Sequence, residues 1–71
     1  MNSMIGYNAR REERTEERIE KLISILRKNP QYRNALIARM GLGETTAASI
    51  IQEAKRRGLI YYDGGLYKVN E

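Results

Sequence analysis

Apolar positions in the second half of the chain follow a helical period twice and a strand period once. Leu36, Ile37 and Met40 share one helical face, the pattern breaks at Gly41-Leu42-Gly43, and Ala47, Ile50, Ile51 and Ala54 resume it. Both sets keep the i, i+3, i+4 spacing of a single buried stripe. The glycine-flanked turn is too short to let the two helices lie antiparallel, which predicts a steep crossing. Upstream, Ile19, Leu22, Ile23 and Leu26 form the stripe of a first helix, with Ile25 at its margin. Arg27 and Lys28 suit the negative end of that helix, and Asn29-Pro30 stops it. Its start reads two ways. Thr15 is a candidate N-cap with Glu16 and Glu17 in the first turn, or the helix begins near Ala9 and runs through the charged stretch 10–17, supported by pairs such as Glu17 with Lys21. A start before Thr15 is preferred. Residues 1–9 read as a flexible arm, although Met4, Ile5 and Tyr7 are apolar and suited to packing on a partner subunit; residues 10–71 read as one domain.

The second helix is expected over about 32–40 and the third over 44–57. Gly43 offers the third helix no side-chain cap unless Thr45 or Thr46 supplies one, and Gly58 fits the left-handed residue that closes it. Beyond Gly58 the alternation predicts a hairpin over 59–70. Taking Gly64-Gly65 as a two-residue turn sets Tyr62 opposite Tyr67 and Ile60 opposite Val69, all on one face, with Tyr61 and Lys68 on the other. An Asp63-Gly64 turn would pair Leu59 with Lys68 and mix the faces. The predicted fold class is therefore mainly α with a small β-hairpin: three helices, then two strands.

The segment from Asn34 to Val69 resembles a winged helix-turn-helix domain. The resemblance rests on Leu36 to Leu42 for the first helix and turn, and on Thr46-Ala47 through Ile50-Ile51 in the second helix. Arg57-Gly58-Leu59-Ile60 then leads into Tyr61 to Tyr67 as the wing. With the preceding helix it covers roughly residues 15–70. It implies a DNA-binding protein similar to compact regulators of archaea, plasmids and viruses, with helix 44–57 in the major groove and hairpin 59–70 as wing. At 100° per residue the outward face of that helix carries Thr45, Ser49, Gln52 and Arg56, flanked by Thr46, Ala48, Glu53 and Lys55. Thr45, Thr46, Ser49 and Gln52 would read base edges, since Gln pairs with adenine and Ser or Thr bonds several base types. Arg33, Asn34, Lys55, Arg56 and Arg57 would hold the phosphate backbone, with Lys55 and Arg57 equally able to satisfy the helix C-terminus. The wing departs from the common basic tip: Asp63-Gly64-Gly65 leaves Lys68 as its one base, so this hairpin is expected to close the core rather than enter the minor groove.

Composition narrows the function further. Seventy-one residues make one domain at most, close to the lower limit for an independent core. Thirteen Lys and Arg against nine Asp and Glu leave a net charge of +4, which favours a polyanionic partner. Cysteine and histidine are absent, so disulfides, thiolate sites, Ser-His or Cys-His catalysis and His-ligated metals are excluded. The clustered acids Glu12, Glu13, Glu16, Glu17 and Glu20 lie on a charged stretch with nothing apolar to raise a pKa. No enzyme activity, cofactor, metal or small-molecule ligand is expected. No apolar run reaches the length of a membrane span or leader, which predicts a soluble cytoplasmic protein. The expected partner is double-stranded DNA, bound as a homodimer joined through the arm and first helix. Two alternatives remain. One is a protein-interaction module using the wing and Tyr61; the other is a single-strand or RNA binder stacking bases on Tyr61, the remaining tyrosines being expected to bury their rings.

Overall fold

A computed structural model describes the backbone of residues 2–71 and the side chains from Glu13 onward. Three helices, α1 (Asn2–Lys28), α2 (Arg33–Met40) and α3 (Glu44–Arg56), precede an antiparallel hairpin of β1 (Ile60–Asp63) and β2 (Leu66–Val69). This is the mainly helical layout of three helices and a β-hairpin expected from the periodicity. The expected arm over 1–9 is helical from Asn2, so Thr15 lies inside α1 and does not cap it. The side chains of Met4, Ile5 and Tyr7 lie outside the described residues.

One core joins the elements. Ile19, Leu22 and Leu26 of α1 meet Leu36 and Met40 of α2, the α3 stripe Ala47, Ile50, Ile51 and Ala54, and Ile60 and Tyr67 of the hairpin. Ile23, Ile25, Ile37 and Leu42 pack half-buried against it. Lys21 adds a polar tie, its Nζ donating to the Met40 carbonyl at 3.2 Å, where the end of α2 concentrates negative charge.

Both ends of α3 follow from the local sequence. Its start has Gly43 and no side-chain cap, so neither Thr45 nor Thr46 supplies one; the first helical bond runs from the Ala47 N–H to the Gly43 carbonyl. At its end Gly58 takes φ 74°, its N–H bonds the Lys55 carbonyl at 2.9 Å, and the Leu59 N–H reaches back to the Ala54 carbonyl at 3.0 Å. These two bonds form a Schellman motif, which places Arg57 in the cap and ends the helix one residue earlier than expected.

The hairpin adopts the predicted register, Ile60 with Val69 and Tyr62 with Tyr67. Gly64 and Gly65 both have positive φ, as a tight primed turn requires. The shared face is only partly covered. Ile60 and Tyr67 are buried over the helices, whereas Tyr62 projects past them and stays 56% exposed, with its ring edge-on to Tyr67 at 5.0 Å. Tyr32 is 66% and Tyr61 43% exposed, so among the described tyrosines only Tyr67 buries its ring. Periodicity did not show the connection before α2: Gln31 exchanges backbone bonds of 3.3 and 2.8 Å with Tyr67 and fastens the hairpin to the helices. No helix among the described residues is long and apolar enough to cross a membrane.

Candidate nucleic-acid interface

The buried stripe of α3 fixes which side chains can face outward. With Ala47, Ile50, Ile51 and Ala54 in the core, Thr45, Ser49, Gln52, Lys55 and Arg56 are exposed and Thr46 is half-buried. Arg33 and Asn34 are exposed in the first turn of α2. The face from Thr45 to Gln52 carries short hydroxyl side chains and one amide, so its backbone is unusually approachable.

The cations expected to grip phosphate fall into two groups. Arg33 and Lys55 have no ion pair among the described residues, but Arg56 and Arg57 are already engaged. Arg56 donates to both carboxylate oxygens of Glu53, from Nε at 2.9 Å and Nη2 at 2.5 Å, and Arg57 Nε donates to the same carboxylate at 2.7 Å. Arg57 also bonds Glu16 of α1, which turns it from the outward face toward the α1–α3 seam. Lys68 pairs with Asp63 across the wing at 3.1 Å. Glu53 is thus the residue that sequence reasoning undervalued, although its i+3 and i+4 spacing to two arginines was available as a signal.

Hydrogen bonds from Arg56 and then Arg57 hold the Glu53 carboxyl down from the usual 4.5 to about 2. Glu16 first, then Glu53, raises Arg57 above its ordinary value, and Glu53 does the same to Arg56. A depressed carboxyl contributes stability that is fully present above about 4.5 and is lost as pH falls toward about 2. Glu53→Gln should therefore flatten the acid limb of the thermal-stability profile in that window, with a small amplitude because the pairs are exposed. A variant whose acid limb matches that of the parent protein would refute this assignment.

A groove of about 330 Å³ opens beside the first turns of α3, lined by Arg14, Thr15 and Arg18 of α1 and by Thr45, Thr46, Ser49 and Ile50. The structure thus brings three of the expected base-reading residues together against α1, while Gln52 stands outside the groove and Arg33 and Asn34 belong to a separate element. Among the described residues no group of three or more acids is placed to hold a metal ion. Comparisons with protein-family models, curated proteins and solved structures found no match.

Proposed function

We propose that this chain is a winged helix-turn-helix DNA-binding protein that regulates transcription in the cytoplasm. One observation carries the reading: α3 buries one face completely and turns Thr45, Ser49 and Gln52 outward as a short-side-chained polar surface. A merely solvated helix gains nothing from short side chains there, whereas a helix entering a major groove needs them for close approach. Thr45, Thr46, Ser49 and Gln52 read base edges, and Arg33, Asn34 and Lys55 meet phosphates. Arg56 and Arg57 join them on exchanging the Glu53 carboxylate for phosphate, and Lys68 stays with Asp63 on the wing.

A second copy completes the binding unit. Along one face of α1 a groove of about 660 Å³ carries half-buried Ile23 and exposed Leu59, with Glu16 and Glu20 at one end and Arg27 and Lys28 at the other. An antiparallel copy centred between Lys21 and Leu22 sets Glu16 level with Arg27 of its mate, a self-complementary pattern of the kind a two-fold dimer requires. Exposed pairs such as Arg27 with Glu71 exchange partners at little cost.

The test is a fluorescence-anisotropy titration of a labelled mixed-sequence duplex across salt, with light scattering at the same protein concentrations. Micromolar binding that weakens steeply with salt, by a dimeric species, is the expected result. Absence of duplex binding at low salt defeats the DNA reading, and a monomeric mass defeats the dimer.

A protein-docking role draws on a different patch. A Cβ built on Gly65 would stand 3.8 Å from the Tyr32 ring and 4.0 Å from the Tyr62 hydroxyl, so two exposed tyrosines flank the wing turn. Exposed aromatic clusters are common anchors of protein interfaces. Under that reading Tyr32→Ala and Tyr62→Ala together abolish partner capture and leave duplex affinity unchanged. Preference for unpaired over duplex oligonucleotides would instead assign the tyrosines to base stacking.

A further inference from the structure

We propose that α1 forms a second wall of the DNA interface, with Arg14 and Arg18 holding one backbone phosphate in the groove they share with Thr46 and Ser49. The inference rests on the DNA reading above and extends it to a helix that reading assigns no contact with nucleic acid. Arg14 and Arg18 lie one turn apart, about 6 Å along the axis, on the side of α1 that faces the start of α3. No acid lines the groove, and the Thr15 hydroxyl supplies a further donor. At about 330 Å³ it matches the small end of ligand-sized clefts, which run from about 300 to 1,000 Å³.

The contrast with three other arginines makes the pair informative. Arg27, Arg56 and Arg57 each face a carboxylate within 4 Å, whereas Arg14 and Arg18 have no such partner among the described residues. At 100° per residue Arg14 and Arg18 lie about 40° apart on the side of α1 that lines the groove, while Glu13, Glu16, Glu17 and Glu20 fall outside that sector. Where α1 crosses α3, Glu16 meets Arg57 near the end of α3 and the two arginines meet its beginning. Two guanidiniums beside a groove that no acid lines suit an anion. When α3 presents Ser49 and Gln52 to base edges, a phosphate of the flanking strand lies beside that helix, and a fork of two guanidiniums is suited to its oxygens.

The experiment is the salt-dependent anisotropy titration of a mixed-sequence duplex with three proteins: the parent chain, Arg14→Gln/Arg18→Gln, and Arg39→Gln/Lys68→Gln as a charge-matched control outside both the α3 face and the dimer groove. Glutamine keeps helix propensity nearly unchanged, and circular dichroism melts check that each variant folds. The Arg14/Arg18 variant should lose about tenfold in affinity at low salt, and its plot of log K against log salt should be shallower by about one, the value of a single phosphate contact. The control should keep the parent slope, and Arg14→Lys/Arg18→Lys should recover the slope without the full affinity. A parent slope in the glutamine variant, or equal losses in both glutamine variants, overturns the assignment of this groove while leaving the DNA reading in place. No duplex binding by the parent chain removes both.

Discussion

Leu36→Ala should lower the melting temperature by about 8 °C or more and loosen the packing of α2 on α3. Leu36 is fully buried, and with Met40 it is one of two side chains that anchor α2. That helix has eight residues and no side-chain cap, too short to persist without tertiary support. Truncating a buried leucine to alanine typically costs about 2–5 kcal/mol, including the cavity left behind. A domain of this size has roughly 4–10 kcal/mol in total, at about 0.05–0.15 kcal/mol per residue. The substitution therefore removes about a fifth of the stability or more, and each kcal/mol is worth about 4–8 °C in so small a domain. Thermal melts followed by circular dichroism give the answer directly. A melting point within a few degrees of the parent would mean that α2 is not held by this core.

The same residue shows why much of the fold was legible. Leu36, Met40, Ala47, Ile50, Ile51 and Ala54 follow a strict helical period, and burial at that period is what packs α2 and α3 together. Register was legible at Gly64-Gly65 because one turn chemistry aligned the apolar positions and its competitor mixed them. Features without a period were not legible. α1 begins at Asn2, upstream of both candidate starts, and the stretch from Arg10 to Arg18 has no apolar residue whose period could have carried the helix that far. The Gln31–Tyr67 bridge pairs single residues distant in the chain and leaves no pattern in either. Tyr62 sits at a core-facing register position, but its exposure depends on how far the hairpin overhangs the helices, which alternation cannot report.

The candidate interface divides along the same line. The outward face of α3 follows from its buried face by geometry, so Thr45, Ser49, Gln52 and Arg56 could be placed there from the sequence. Which cations are available could not, because availability depends on neighbours in other elements. Arg57 turns to Glu16 only because α1 crosses α3 at that point, and the same crossing brings Arg14 and Arg18 beside Thr46 and Ser49. Local spacing indicates which helix a base lies on; the crossing decides whether it faces a carboxylate or an open groove.

Gln52→Glu should reduce duplex affinity by at least tenfold while leaving the fold intact. The two side chains are nearly isosteric with similar helix propensity, and position 52 is exposed, so neither packing nor backbone changes. Two effects act in the same direction. Under the proposed DNA reading the amide that would pair with adenine loses its donor, and one good bidentate base contact is worth about 1–3 kcal/mol of discrimination. A carboxylate also enters a groove walled by phosphates, where repulsion is strongest at low salt. Arg56, four residues on, can pair with the new charge, but such exposed i, i+4 pairs yield only about 0.3–0.5 kcal/mol and cannot offset a tenfold loss of about 1.4 kcal/mol. Raising salt should narrow the gap by screening the repulsion and leave the share due to the lost hydrogen bond. If anisotropy shows unchanged affinity for Gln52→Glu at low salt, α3 does not enter the groove, and the contact surface must be sought at Tyr32 and Tyr62 beside the wing.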